Sequence, residues 1–189
     1  MSYRGLFEVG GFARLATSSL LVRTATSMWH VALVLFVLER FASPVLAGLA
    51  VFLAIAPGIV VSPLAGVLLD RHGRVRLMLL DYVLGAVGLA LIAGLALADR
   101  LPPPALLGIV TAVSLTNPLG AAGGRSLFPL VVPRRLWDRA NGVDGAGYTL
   151  AAVAGPPLAA ILLEPDLGTV LVFGPALLAM LFVVGCNWK

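Results

Sequence analysis

Charge is scarce in this chain. Only 12% of its 189 residues are Asp, Glu, Lys or Arg, where a soluble domain carries about a quarter. So few charges cannot cover a water-facing surface, and a soluble globular domain is excluded. Cysteine occurs once, at Cys186, which rules out an internal disulfide and any multi-thiolate metal site. Histidine occurs twice, at His30 and His72, and aspartates do not cluster. An intramembrane serine protease would need a Gly-x-Ser serine with a histidine partner, and a phospholipid transferase would need grouped aspartates. Ser62 stands before Pro63 with no base near it in the sequence. The expectation is a protein that is not an enzyme, with no cofactor and no metal. Met1–Arg14 holds no short apolar core with a small-residue cleavage site, so the first apolar run reads as a retained helix.

What is abundant is apolar. Hydrophobic residues make up 60% of the chain and the mean hydropathy is +1.02. Crossing a bilayer takes ~20 apolar residues per helix, and the chain divides into runs at roughly 15–38, 44–69, 77–98, 105–131, 143–163 and 168–186. The fold class is therefore an all-α polytopic membrane protein with six transmembrane helices, and the lipid bilayer is its first partner. The net charge of +4 and pI near 10 would suggest nucleic acid in a soluble protein. Here no nucleic acid is assigned, because the basic residues fall where topology requires them. Arg4, Arg14, Arg71, Arg74, Arg76, Arg134, Arg135, Arg139 and Lys189 lie on one side of a six-crossing arrangement. The other side carries Glu39-Arg40, Asp99-Arg100 and the acidic Glu164-Pro165-Asp166. Both termini are expected to be cytoplasmic, in a plasma (inner) membrane.

Within the runs, polar residues are few enough to count as signals. Ser19, Arg23, Thr26, Ser27 and His30 recur at spacings of three and four, so they share one helix face. Arg23 sits ~12 Å into the first run at 1.5 Å per residue. A charge at that depth faces a bundle interior or a wet cavity. Two roles stay open: lining of a substrate pathway by Arg23, Thr26, Ser27 and His30, or an internal ion pair of Arg23 with an acid such as Asp144. Asn117-Pro118 in the fourth run suggests a kink with a polar side chain turned inward. Leu101-Pro102-Pro103-Pro104 reads as a stiff external link, and Val132–Asn141 as a basic connection. Gly85, Gly88 and Gly94 read as close-packing positions. Gly120 to Arg125 lacks the lysine, the Ser/Thr and the preceding strand of a phosphate loop.

One stretch repeats. Pro157-Leu-Ala-Ala-Ile-Leu-Leu-Glu164 echoes Pro63-Leu-Ala-Gly-Val-Leu-Leu-Asp70, half a chain length apart. The first copy ends in arginines and the second in acids, as expected if two three-helix units enter the membrane in opposite senses. Such a 3+3 inverted repeat is common in secondary transporters.

The densest charge in the chain is the turn Gly66-x-Leu68-x-Asp70-Arg71-x-Gly73-Arg74-x-Arg76. It resembles the loop 2–3 signature of the major facilitator superfamily. The usual basic residue after the second arginine is Val75 here, with Arg76 one place later. Gly155-Pro156 is similar to the helix 5 motif of that family's antiporters, with Ala159-Ala160 in place of its two later glycines. Phe128–Asn141 resembles bacterial drug and siderophore exporters. The resemblance implies an N-terminal half of a twelve-helix fold, in a bacterial membrane. The second six-helix half is absent, whether the chain is a fragment, a truncated product or a half-size subunit that pairs. It further implies alternating-access efflux of a small molecule. Asp70, Arg71 and Arg74 would then form a cytoplasmic latch against the second half, with Asp81 and Arg125 as local partners. Proton exchange is the driving force such a family suggests, although Asp81 and Asp144 read as lying near helix ends rather than at mid-membrane.

Overall fold

In the computed structural model, residues 4–162 are described, and every element among them is helical. A single turn, α1 (Arg4–Phe7), precedes α2 (Phe12–Phe41), α3 (Pro44–His72), α4 (Arg74–Leu97) and α5 (Pro103–Val131). A 3-10 turn at Arg134–Leu136 then leads into α6 (Trp137–Leu162). Helices α2 to α5 are each long and apolar enough to cross a membrane. They cover the first four predicted runs. The fifth run (143–163) lies in α6 as far as Leu162, while residue 163, the sixth run (168–186), Glu164 of the internal echo and Cys186 lie outside the described residues.

Helix ends follow local chemistry. Ser43 accepts a hydrogen bond from the Leu46 amide at 3.2 Å and Pro44 occupies the first position of α3, a strong start signal. Between α3 and α4 the chain turns on Gly73 alone, at φ +91°, a conformation that side-chain-bearing residues resist. Two expectations need correction. Pro103 and Pro104 belong to the first turn of α5 rather than to a free link, because the missing proline N–H would have had no helical acceptor there. Trp137–Asn141 is likewise helix, not connection. Leu136 is buried, Trp137 Nε1 donates to the Val132 carbonyl at 2.9 Å, and Asp138 suits the positive start of α6.

Helix α2 packs on α6 and on α3, and α5 packs on both α3 and α4. Lipid tails are as apolar as leucine, so close approach and complementary polar contacts hold such a bundle. At the α3–α5 crossing, the Gly58 amide donates to Ser114 Oγ at 3.1 Å. Pro118 has no N–H for the Ser114 carbonyl four residues back, and that oxygen faces Gly58. At the α2–α6 crossing, Gly155 faces Ser27, and at the α4–α5 crossing Gly88 faces Val113. Two apolar clusters close the ends. Phe12, Met78, Leu127 and Phe128 fill the end carrying Gly73, where Phe12 makes edge-on contacts with Phe7 and Phe128 at centroid distances of 5.5 and 6.2 Å. Phe36, Ala50, Ile92 and Leu106 fill the opposite end. Outward faces carry Val45, Ile59, Val60 and Ile161, all largely exposed, as lipid-facing side chains are.

A methyl group at position 58 would stand 2.7 Å from the Ser114 carbonyl, whereas one at Gly48 on the same helix meets nothing within 4 Å. Gly58→Ala is expected to lower stability by about 1–3 kcal/mol. Gly48→Ala is expected to be neutral or stabilising by up to ~1 kcal/mol through helix propensity. Thermal unfolding of both variants in detergent checks this.

Candidate functional site

Between the two apolar clusters lies a cavity of about 420 Å³, walled by α2, α3, α4, α5 and α6. All five residues read from the sequence as pathway candidates, Arg23, Thr26, Ser27, His30 and Asn117, stand on its wall. Four of them come from a single face of α2. Asp81 and Arg125, read as latch partners near the turn, are placed by the structure in this cavity as well. The reason is register: ~10 Å of helix separates Asp81 from the start of α4, and ~9 Å separates Arg125 from the end of α5. Trp29, Tyr82, Ser114 and Tyr148 also line it and were not foreseen. Tyr148 had a signal, since it follows Asp144 by four residues and shares its face.

Arg23 is the best-anchored charge. Its Nη1 donates to the Asp144 carbonyl oxygen at 2.7 Å, and Nη2 stands 2.9 Å from both carboxylate oxygens, donating to Oδ2. The Tyr148 ring lies beneath the guanidinium, 5.8 Å away at its centroid. Of the two roles left open for Arg23, the pair with Asp144 forms, and the residue lines the cavity at the same time. Thr24, Thr26 and His30 of α2 turn back on their own helix. Thr24 and Thr26 donate to Leu20 and Val22 carbonyls at 2.9 Å, which removes the penalty of carrying hydroxyls into lipid. His30 Nδ1 lies 2.8 Å from the Thr26 carbonyl. A carbonyl only accepts, so Nδ1 carries the proton.

Asp81 is 7% exposed and lies against Thr116 and Gly120 of α5. Gly120 is there for space, since a Cβ would collide with Asp81 Oδ2. Neither Asp81 nor Arg125 forms an ion pair among the described residues. The turn at Gly73 is a different environment. Arg74 pairs with Asp70 at 3.2 Å, both side chains well exposed, while Gly66, Arg71 and Arg76 are exposed and neither arginine forms an ion pair among the described residues. Gly155 is buried against Ser27, with Pro156 beside it inside α6; the helix 5 motif thus sits where α6 touches the cavity-lining face of α2.

Membrane-length helices around a solute-sized cavity, mostly apolar but carrying a few charged and polar groups, are the features of an integral membrane protein. The sequence matches the family model of the major facilitator superfamily over residues 15–188, and the chain belongs to that superfamily of membrane transporters. It is 43% identical over 162 residues to an uncharacterized MFS-type transporter, y4rN, of Sinorhizobium fredii, covering 84% of this chain and 39% of that protein. It is 25% identical over 138 residues to macrolide efflux protein A of Streptococcus pyogenes, covering 72% of this chain and 34% of that protein. The chain thus spans between a third and two fifths of the length of these relatives. Membership of this family points to a transporter rather than an enzyme.

The Arg23–Asp144 pair is about four-fifths buried on both sides, so its coupling should exceed that of the exposed Asp70–Arg74 pair. A double-mutant cycle of Arg23→Gln with Asp144→Asn, read by thermal unfolding, is expected to give a coupling of about 1–3 kcal/mol. The cycle of Asp70→Asn with Arg74→Gln should give under ~0.5 kcal/mol.

Proposed function

We propose that this chain forms the N-terminal six-helix half of a small-molecule exporter that works by alternating access. The observation that carries this reading is the cavity. In a bundle so apolar, Arg23, His30, Asp81, Asn117 and Arg125 gather around one space of about 420 Å³, and such residues inside a membrane mark a solute path. Efflux is the direction favoured by the similarity to a protein named for macrolide efflux. A 3+3 inverted repeat is supported by the packing. Exchanging the two three-helix units turns α2 into α5 and α3 into α6, which converts the α3–α5 contact into the α6–α2 contact, and both are major contacts of the bundle. Protons as coupling ion, cytoplasmic termini and a bacterial inner membrane complete the reading.

In this reading the exposed turn at Gly73 is half of a latch. Asp70 is held by Arg74 within its own turn at 3.2 Å, a weak solvated bond that a second bundle can displace at little cost. The two states would differ in whether Asp70 faces Arg74 or a cation of the second half, and a substrate acts by binding one state better. A non-transporting fragment, or a half-size subunit that must pair with another six-helix bundle, is the second reading.

Asp70→Asn separates latch from anchor. Expressed with its second bundle in an efflux-deficient bacterium, the variant is expected to lose at least ~10-fold in dye or drug export, about 1.4 kcal/mol of state preference. Its membrane level and unfolding temperature should remain those of the parent. An equal loss of folded protein would make the turn a topological anchor only.

A further inference from the structure

The cavity holds an acid and a base that form no ion pair among the described residues. Arg23 is neutralised by Asp144 and covered by Tyr148. Asp81 and Arg125 are not paired among the described residues, yet both line the cavity. Their helices fix them at similar depth, ~10 and ~9 Å from the Gly73 end of α4 and α5. Towards the opposite end Trp29, Ile92 and Val110 make the wall mainly apolar, with His30 and Ser114 as its polar groups. The space is therefore graded along its length, with charges of both signs at one end and a ring and aliphatic groups at the other.

Asp81 is not placed by accident of the lipid interior. Position 120 must be glycine to admit its carboxylate, and the hydrogen bonds it receives from Thr116 and Gly120 hold it in place without neutralising it, so a cationic group arriving beside it gains a partner. Arg125, exposed on the same wall, offers up to five donors in a planar fork suited to a carboxylate or phosphate. Gly120, which touches Asp81, and Arg125 are five residues apart on α5, a rise of ~7.5 Å. A ligand whose two charges are separated by a few bonds can reach both.

We propose that the cavity selects a zwitterionic amphiphile: Asp81 takes its cationic group, Arg125 its anionic group, and the apolar body lies among Trp29, Ile92 and Val110. This rests on the reading of the cavity as the substrate site and names the class of substrate. A singly charged molecule would leave one of the two residues without a partner, so selection against it is built in. The chemistry is shared by amino-acid-like metabolites, zwitterionic drugs and lipids with short tails.

The test uses three probes with one naphthyl body: 2-naphthylalanine (zwitterion), 2-(2-naphthyl)ethylamine (cation) and 3-(2-naphthyl)propanoate (anion). Binding to the full chain in nanodiscs is measured by equilibrium dialysis, with empty nanodiscs subtracted. The zwitterion is expected to bind at least tenfold more tightly than either partner probe. Arg125→Gln should bring the zwitterion to the level of the amine and leave the amine unchanged. Asp81→Asn should bring it to the level of the propanoate. Arg125 is exposed, so its variant carries the test even where Asp81→Asn lowers the yield of folded protein. Equal binding of the three probes, or zwitterion binding indifferent to Arg125→Gln, overturns the proposal. Ala152→Trp, which fills the cavity from α6, separates the two levels. If it abolishes binding while Arg125→Gln is silent, only the zwitterion preference falls. If bound probes ignore Ala152→Trp as well, the cavity is not the binding site and the transporter reading of it falls too.

Discussion

The polar face that α2 turns to the cavity depends on how Arg23 is neutralised. A guanidinium ~16 Å along α2 from Phe12 would be intolerable in hydrocarbon alone. Asp144 meets it with a carboxylate and a backbone carbonyl, at 2.9 and 2.7 Å, and Tyr148 covers its face. Those contacts tie α2 to α6 and hold α6 close enough for Gly155 to rest on Ser27. The wall of the cavity that α2 and α6 share exists because that pair is made. It also neutralises one positive charge on the cavity wall, where Asp81 and Arg125 form no ion pair among the described residues.

The remaining walls depend on small residues and prolines. Gly58 beside Ser114, Gly88 beside Val113 and Gly120 beside Asp81 let three helices approach at points where a Cβ would intrude. Pro118 leaves the Ser114 carbonyl without its usual donor, and the neighbouring Gly58 amide is held by the Ser114 hydroxyl. Helices held by such point contacts, with separate apolar clusters rather than one continuous core, can shift relative to one another without exposing a large core. A carrier that opens alternately to two sides needs that property.

The helices were legible in the sequence because hydrocarbon demands long apolar runs, and α2 to α5 appear where those runs are. Their ends were less legible. Charged residues such as Arg74 and Asp138 continue helices past the bilayer's apolar limit, and prolines at helix starts look like links. The α2 face was legible because Ser19, Arg23, Thr26, Ser27 and His30 keep helical spacing, and Asp144 was legible as an acid in need of a cation. The meeting of Asp81 with Gly120 was not, because it depends on the relative register of α4 and α5, which no local pattern encodes. For the same reason the sequence marks Arg125 only as a latch partner near the cytoplasmic end of its helix, while the structure puts it on the cavity wall. The single turn α1 went unseen because four residues leave no periodic signal, while the buried Leu6 and Phe12 that pin it look like ordinary hydrophobics.

The central claim is that the space between the helices is a wet, solute-accessible cavity. Asn117→Cys in a Cys186→Ser background places the thiol on its wall, and Val60→Cys in the same background places it on the lipid face. In membrane vesicles, a charged, impermeant maleimide should label position 117 from one side and leave position 60 untouched, while a lipophilic maleimide labels position 60. Labelling of position 117 by the lipophilic reagent alone would contradict the account, because the space would then belong to lipid.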